Sequence, residues 1–211
     1  MRVRHRAVQA LAALATATAL AVGGAAVAQP AAAQPTGPAP AAASGEVVGV
    51  PGLDVERYLG TWYQIAAIPA IFELQCRKDV TAEYTLVRDG VVGVRNECRT
   101  WLGRTSSVTG EAKVLNAPDS SELNVSFLKI KDRYLHFGGA NYVVVGLGAE
   151  YDWAVVGDPD RSSGFVLSRT PSLSDAQLDA ARDALVGAGY DPCDLRLTPQ
   201  SDGQRTRAPL C

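Results

Sequence analysis

The residues able to support chemistry in this 211-residue chain are four cysteines and very few histidines. His136 is the only histidine outside the N-terminal segment that carries His5. A hydrolytic Ser–His or Cys–His pair, a haem ligand or a zinc site would therefore have to rest on His136. Its neighbours, from Arg133 to Gly139, read as a strand junction and favour a loop histidine. We assign no catalytic residue, metal ligand or cofactor from the sequence.

The four cysteines indicate two disulfides rather than a reactive thiol, because an even number in an exported chain suits an oxidising compartment. Four cysteines allow three pairings, so spacing alone leaves the connectivity open. The favoured pairing joins Cys76 to Cys98 and Cys193 to Cys211. The rival pairing joins Cys76 to Cys211 and Cys98 to Cys193.

Residues 1–28 read as a secretory signal. Three arginines precede an apolar run over residues 7–22, and Ala26-Val27-Ala28 supplies a small-residue cleavage site. The run is too short and too rich in alanine for a membrane-spanning helix. Residues 29–45 are an Ala/Pro-rich linker that cannot build a core, so we expect one folded domain over residues 46–211.

The charge of this domain limits the partners that it can have. Without the three signal arginines, 17 Lys and Arg stand against 22 Asp and Glu, a net charge of −5. This charge and the missing basic patch exclude a nucleic-acid partner. No cysteine follows the signal as a lipid anchor, so we expect a secreted, extracellular or cell-envelope chain. Membrane contact stays compatible with the sequence, and a monomer is favoured although the oligomeric state is not fixed.

The domain reads as about eight short strands with hairpin-like links. Val80, Ala82 and Tyr84 alternate with polar residues, which is typical of a half-buried strand, and Asp89-Gly90 is a strong hairpin signal. Strands do not alternate with helices, so the sheet is antiparallel. Eight such strands can close into an up-and-down β-barrel around one small ligand, and a sandwich is the competing all-β architecture. The expected strands cover residues 60–68, 80–86, 91–98, 105–115, 122–127, 141–147, 153–157 and 165–169.

A single amphipathic helix follows the strands, over about residues 174–187. Ser172 or Ser174 can cap its N-terminus. Its apolar stripe suits packing against the outside of the barrel.

Two turns carry expectations of their own. A two-residue turn at Asp89-Gly90 places Cys98 opposite Thr81, so a bond to Cys76 requires the chain before the second strand to fold back. Asp158-Pro159-Asp160 predicts an ordinary turn at the closed end of the barrel rather than a calcium site.

Four stretches of the sequence, in their order and spacing, resemble the lipocalin family, and the similarity is greatest to the branch of bacterial outer-membrane lipoproteins and apolipoprotein D. The resemblance implies an eight-stranded barrel, closed at one end and open at the other, that carries a small hydrophobic molecule. It also implies that Trp62 of the Gly60-Thr61-Trp62 motif plugs the closed end and that Arg169 lies across its ring. The bacterial relatives usually carry an anchoring cysteine after the signal, which this chain lacks. The stretches are 60–66, 80–84, 151–159 and 166–171.

The alternation of side chains predicts which residues face the lumen, although a slip of one residue would invert a whole strand. Mostly aliphatic walls suit a fatty acid, a lysophospholipid or a similar lipid, and about half of these residues are expected to fill the core. The function expected is secreted binding and transport. The alternative is a lipocalin-type enzyme acting on a bound lipid or pigment, which would need a reactive thiol or an acid–base pair in the lumen. The predicted ligand-binding residues are Ala82, Tyr84, Leu86, Val94, Asn96, Val125, Phe127, Tyr142, Val144, Ala154 and Val156; Val92, Ala112, Val114 and Leu123 face the same way.

Overall fold

The structure, a computed structural model, describes residues 45–211. The predicted signal and all but the last residue of the predicted linker lie outside these residues. Within residues 45–211, no helix has the length and apolar character needed to cross a bilayer.

The elements follow one another as short strands with brief links. In chain order they are helix α1 (Val55–Tyr58), strand β1 (Gly60–Ala67), a 3₁₀ turn (Ile71–Glu73), β2 (Cys76–Arg88), β3 (Val91–Thr100), β4 (Thr105–Val114), β5 (Glu122–Ser126), β6 (Lys129–Ile130), β7 (Arg133–Tyr134), β8 (Tyr142–Leu147), β9 (Trp153–Gly157), β10 (Gly164–Ser168), helix α2 (Asp175–Gly187), a second 3₁₀ turn (Pro192–Asp194) and β11 (Arg196–Leu197).

The sheet closes on itself into an antiparallel barrel of eight strands, β1 to β5 and β8 to β10. Strand β1 closes it, because residues Gly60 to Tyr63 pair with β2 while Tyr63 to Ala67 pair with β10. Strand β11 adds to β1 outside this ring through Ala66 and Ala67. The predicted barrel is confirmed and the sandwich alternative is wrong. A small hairpin, β6–β7, lies between β5 and β8, in a segment to which the sequence assigns no strand.

Antiparallel links alternate between the two ends of a barrel, and this fixes which loops lie together. The hairpin at residues 89–90 and the links at 115–121 and 148–152 lie at one end, with the N-terminal segment and α1 against them. The links at 68–75, 101–104, 127–141 and 158–163 lie at the other. The turn at Asp158 is therefore at the opposite end from the one expected.

Strand β2 does not fold back before Val80; it continues to Cys76 through two irregularities. Regular pairing holds from Thr81 with Glu97 to Leu86 with Val92, and the register shifts on either side of Lys78. Asp79, within the second of these shifts, has a positive φ of 55°. These shifts place Cys76 opposite Thr100, so its Cα lies 5.6 Å from that of Cys98, to which it is bonded.

Helix α2 packs outside the barrel, as expected, on β8 and β9. Ser174 caps it in a capping box with Gln177. Ala181 and Leu185 are buried against Val155. The helix approaches closely at Gly146, where an added Cβ would lie 2.6 Å from the Cβ of Ala184.

The C-terminal tail is closed on itself by a disulfide between Cys193 and Cys211. Buried apolar groups hold it to the outside of the barrel, because Leu195 and Leu210 pack in one cluster with Ile65 and Val155. Gln200 fixes the tail to two strands, because its Nε2 donates to the carbonyls of Gln64 (2.9 Å) and Val80 (3.0 Å).

Candidate ligand-binding cavity

The end of the barrel that bears α1 is sealed by Trp62 and Arg169. Trp62 is 0% exposed, and its indole N–H donates to the carbonyl of Tyr58 at 2.9 Å. The guanidinium carbon of Arg169 lies 3.7 Å from the ring centroid, within the range of cation–π attraction. Arg169 also donates to the carbonyls of Thr61 (2.9 Å), Arg57 (2.8 Å) and Tyr151 (3.2 Å). One side chain thus ties together α1, the start of β1 and the link after β8.

Three tyrosines lie above this plug. The ring of Tyr58 is 4.9 Å from the ring of Trp62 and stacks on Tyr84 at 5.8 Å. The hydroxyl of Tyr142 lies 2.9 Å from that of Tyr58 and 3.0 Å from that of Tyr84. Burial raises the pKa of Tyr84 to about 12 and holds the pKa values of Tyr58 and Tyr142 well above their usual range, so all three phenols are protonated near neutral pH.

A cavity of about 470 Å³ extends from Tyr84 and Tyr142 to the open end of the barrel. This volume falls within the roughly 300–1,000 Å³ typical of small-molecule sites. A much smaller void of about 30 Å³ lies on the other side of the tyrosines, against Leu53 and Val55. Tyr84 and Tyr142 line both spaces, so they form the partition that is the floor of the main cavity.

The structure brings most of the predicted ligand-binding residues together around the main cavity. The ones that line it are Ala82, Tyr84, Val94, Asn96, Val125, Phe127 and Tyr142. Phe127 stands at the mouth and is 43% exposed. Whether these residues contact a ligand stays a prediction.

Four of the predicted residues do not line this cavity. Val144, Ala154 and Val156 point inward but are fully packed in the core around Trp62, below the floor. Leu86 is 49% exposed, because β2 extends past the closed end of the barrel at this point. The alternation predicted the correct face for the first three, but it carries no information about depth along the barrel axis.

Several cavity residues were not predicted. Gln64 lies two positions after Trp62 on β1, and Leu167 pairs with it from β10, so alternation from Trp62 would have identified both. Phe72 and Glu73 come from the irregular segment after β1, which has no period to interpret. The others include Val80, Thr81, Val108 and Phe165.

Glu73 is the one acidic side chain of this segment, and it lines the cavity near its mouth. It accepts a hydrogen bond from Nε2 of Gln64 at 3.2 Å. Burial raises the pKa of its carboxyl, and the bond from Gln64 offsets this only in part.

His136 lies outside the lumen, on the outer face of β4 and β5. Its Nδ1 is 3.0 Å from the carbonyl of Asn124, and its Nε2 is 3.3 Å from a carboxylate oxygen of Glu111. Asn124 and Glu111 are the strand neighbours of inward-facing residues such as Ala112, so their own side chains face outward. The histidine therefore fixes the 127–141 segment against the barrel wall.

Asp158, which the sequence predicts to lie in a turn and not in a calcium site, has a carboxylate that accepts hydrogen bonds chiefly from its own turn. Its Oδ2 accepts from the hydroxyl of Ser162 (2.6 Å) and its Oδ1 from the backbone N–H of Ser163 (3.1 Å). This is an Asx-type turn, as expected from the sequence, although it borders the mouth of the cavity.

The mouth of the cavity is surrounded by exposed apolar side chains from three loops. Ile71 is 86% exposed and Leu102 is 82% exposed. The indole N–H of Trp101 donates to the carbonyl of Leu74 at 3.0 Å, and this bond joins the loop at 101–104 to the loop at 68–75. We call this surface the apolar rim; its members are Ile71, Phe72, Leu74, Trp101, Leu102, Leu128 and Ile130.

The geometry defines a class of protein: a small antiparallel barrel with a plugged floor and an internal cavity open at the other end. The chain belongs to the lipocalin family, since the Lipocalin-like domain model matches residues 53–200. This confirms the resemblance read from the sequence.

Relatives come from bacteria, plants and animals. The chain is 36% identical to temperature-induced lipocalin-1 of Arabidopsis thaliana over 74% of this chain and 84% of that protein. It is 38% identical to the outer membrane lipoprotein Blc of Escherichia coli K12, covering 69% and 78% of the two chains. It is 30% identical to mouse apolipoprotein D, covering 71% and 78%. The predicted branch of the family is therefore confirmed.

Proposed function

We propose that this protein carries one small hydrophobic molecule, of the fatty acid or lysophospholipid class, in the lumen of its barrel. The observation that carries the proposal is the cavity of about 470 Å³, plugged at one end and open at the other. Its walls are largely apolar, with Val94, Val125 and Leu167 among them. Burial of an acyl chain there gains about 25 cal/mol per Å² of apolar surface removed from water.

The setting that we propose for this carrier is the cell envelope or the extracellular space. Two disulfides suit an oxidising compartment, and residues 1–28 read as a secretory signal. One relative, Blc, is named as an outer membrane lipoprotein, and another is an apolipoprotein. These names support a location at or beyond the cell surface.

We favour binding over catalysis on this barrel. A lipocalin-type enzyme would need a nucleophile or an acid–base pair beside the bound molecule. His136 lies on the outer face of the barrel, and the four cysteines are joined in disulfides. The polar groups that form the cavity floor, Tyr84 and Tyr142, are protonated phenols suited to donating hydrogen bonds.

Titration with palmitate and with lysophosphatidylcholine tests the proposal. The wild-type protein is expected to bind one molecule of at least one of them. Ala82 lines the cavity, so Ala82→Phe should fill part of it and weaken binding at least tenfold. Glu83→Phe, on the exposed face of the same strand, is the matched control and should bind like wild type. Failure of wild type to bind either lipid, or unimpaired binding by Ala82→Phe, would contradict the proposal.

We also propose that the apolar rim contacts an anionic lipid surface while ligand enters or leaves. The rim surrounds the mouth, so the ligand could pass between bilayer and cavity without crossing water. Charge favours this partner: residues 71–78, 99–104 and 127–133 hold seven Lys and Arg and two Asp and Glu, although residues 45–211 carry a net charge of −5. Basic groups beside exposed apolar ones are suited to binding anionic headgroups.

Flotation with vesicles tests this contact. Vesicles containing phosphatidylglycerol are expected to retain the protein more than pure phosphatidylcholine vesicles, and 0.5 M salt, roughly a 4 Å screening length, should weaken retention. The double variant Ile71→Ser, Leu102→Ser should lose retention. Val186→Ser, which removes an exposed apolar group on α2, is the control. Equal retention by both vesicle types, or a rim that proves to join two copies of the chain without binding vesicles, would overturn the contact.

A further inference from the structure

The floor of the cavity holds one more hydrogen-bond donor than its own residues can use. The phenols of Tyr58, Tyr84 and Tyr142 carry three hydrogens, but they form two hydrogen bonds, both through the hydroxyl of Tyr142. Whichever way these bonds point, one O–H is left without an acceptor among residues 45–211. Tyr84 and Tyr142 border the main cavity, so an oxygen in the cavity can accept this hydrogen.

The wall of the same cavity holds the complementary group, an acceptor without a donor. Oδ1 of Asn96 is buried and has no hydrogen-bond partner among the described residues. Its neighbours at the same level are Ala82 on β2 and Val108 on β4, and neither side chain can donate. Asn96 is the next inward residue after Val94 toward the mouth, about 7 Å along the strand.

Burial of these groups selects the chemistry of what they bind. A carboxylate at the floor would lose its hydration beside the buried rings of Tyr58 and Tyr84, so charge is disfavoured there. A neutral oxygen accepts from a phenol without this cost. A hydroxyl carries both a lone pair that can accept from the phenol and a hydrogen that it can donate to an oxygen such as Oδ1 of Asn96.

We propose that the cavity is selective for an oxygenated lipid, one that carries a neutral hydroxyl in the half of its chain that lies deepest. Any carboxylate of the same molecule then lies at the open mouth. The inference rests on the proposed carrier function and narrows it from hydrophobic molecules in general to hydroxylated ones. A lipid without this group leaves a buried donor and a buried acceptor unsatisfied, which should weaken its binding about tenfold.

The test compares matched lipids on the whole protein. Palmitic acid and 16-hydroxypalmitic acid, and stearic and 12-hydroxystearic acid, compete for the cavity against a fluorescent fatty acid. Wild type is expected to bind the better hydroxylated member about tenfold more tightly than its plain partner. Asn96→Leu and the double variant Tyr84→Phe, Tyr142→Phe should each lose most of this preference while still binding the plain acid. Tyr134→Phe removes a phenol hydroxyl outside the cavity, so this control variant should keep the preference for the hydroxylated lipid.

The outcomes separate the two claims. Wild type that binds plain and hydroxylated acids equally, as it would if a water molecule joined the two groups, overturns the selectivity and leaves the carrier function standing. A preference that survives in both floor variants overturns the assignment to these residues. Failure of every lipid to bind overturns the carrier function itself.

Discussion

Replacement of Trp62 by alanine tests the interpretation of the barrel floor. The plug stands below the tyrosines, and Trp62 is not among the residues that line the main cavity. The substitution should therefore destabilise the fold strongly and change ligand binding little. A tryptophan that touched ligand would give the opposite result.

The expected loss of stability can be worked out from the contacts of Trp62. Truncation of a fully buried tryptophan to alanine costs about 3–5 kcal/mol. The guanidinium carbon of Arg169 lies 3.7 Å from the centroid of the indole, and the substitution also removes this cation–π attraction of about 0.5–2 kcal/mol. The expected loss of stability is therefore toward the upper end of this range. For a domain of this size, 3–5 kcal/mol corresponds to a fall in Tm of about 6–20 °C.

Urea unfolding followed by circular dichroism measures this loss, and lipid titration at low temperature measures binding by the folded fraction. Trp101→Ala is the matched control, since Trp101 is 58% exposed and loses its bond to Leu74 and a contact with Arg207, whose guanidinium carbon lies 5.2 Å from the ring centroid. We expect the control to cost under about 1.5 kcal/mol. A Trp62→Ala protein of near-native stability, or one that folds normally but no longer binds lipid, would refute the account of the plug.

Three further changes test the energetics around the barrel. Because burial raises the pKa of Glu73, the native state binds the proton of this carboxyl more tightly than the unfolded chain does, and this stabilisation is lost as pH rises through the raised pKa. Glu73→Gln should therefore become more stable relative to wild type as pH rises from 4 to 8. A stability difference in urea unfolding that does not change with pH would contradict this. Gly146→Ala should cost about 1–3 kcal/mol of stability by pushing α2 off the barrel. Gly187→Ala, at the C-terminal residue of α2 where an added Cβ meets no other atom, should be neutral or stabilising. Equal effects of the two substitutions would refute the close approach of α2 at Gly146. Serine at both Cys193 and Cys211 should cost about 3 kcal/mol for the lost 18-residue crosslink, and an unchanged urea midpoint would show that the tail does not depend on it.

The architecture could be predicted from the sequence because its strands are locally consistent. The alternation at Val80 to Tyr84, the Asp89-Gly90 hairpin and the capped helix from Ser174 are all present in the structure. Period-two alternation reports which face a side chain is on, and that is what placed Tyr84, Val94 and Tyr142 inward.

Depth and irregular segments were beyond this kind of reasoning. Val144 and Ala154 face inward, but only the assembled barrel shows that they lie below the floor. Glu73 reaches the cavity from a turn without periodicity, and the bulges around Lys78 that allow the bond from Cys76 have no sequence signal. The end at which Asp158 lies, by contrast, was within reach of the sequence, because successive antiparallel links alternate between the two ends and the expected strands could have been counted.

Native mass spectrometry of the protein, purified without denaturant from cells that produce it, tests the central claim most directly. The account predicts a one-to-one adduct whose extracted component is a lipid, and a marked loss of this adduct from Ala82→Phe but not from Glu83→Phe. A protein that is free of any adduct and takes up no lipid on addition, or an adduct that Ala82→Phe retains in full, would contradict it.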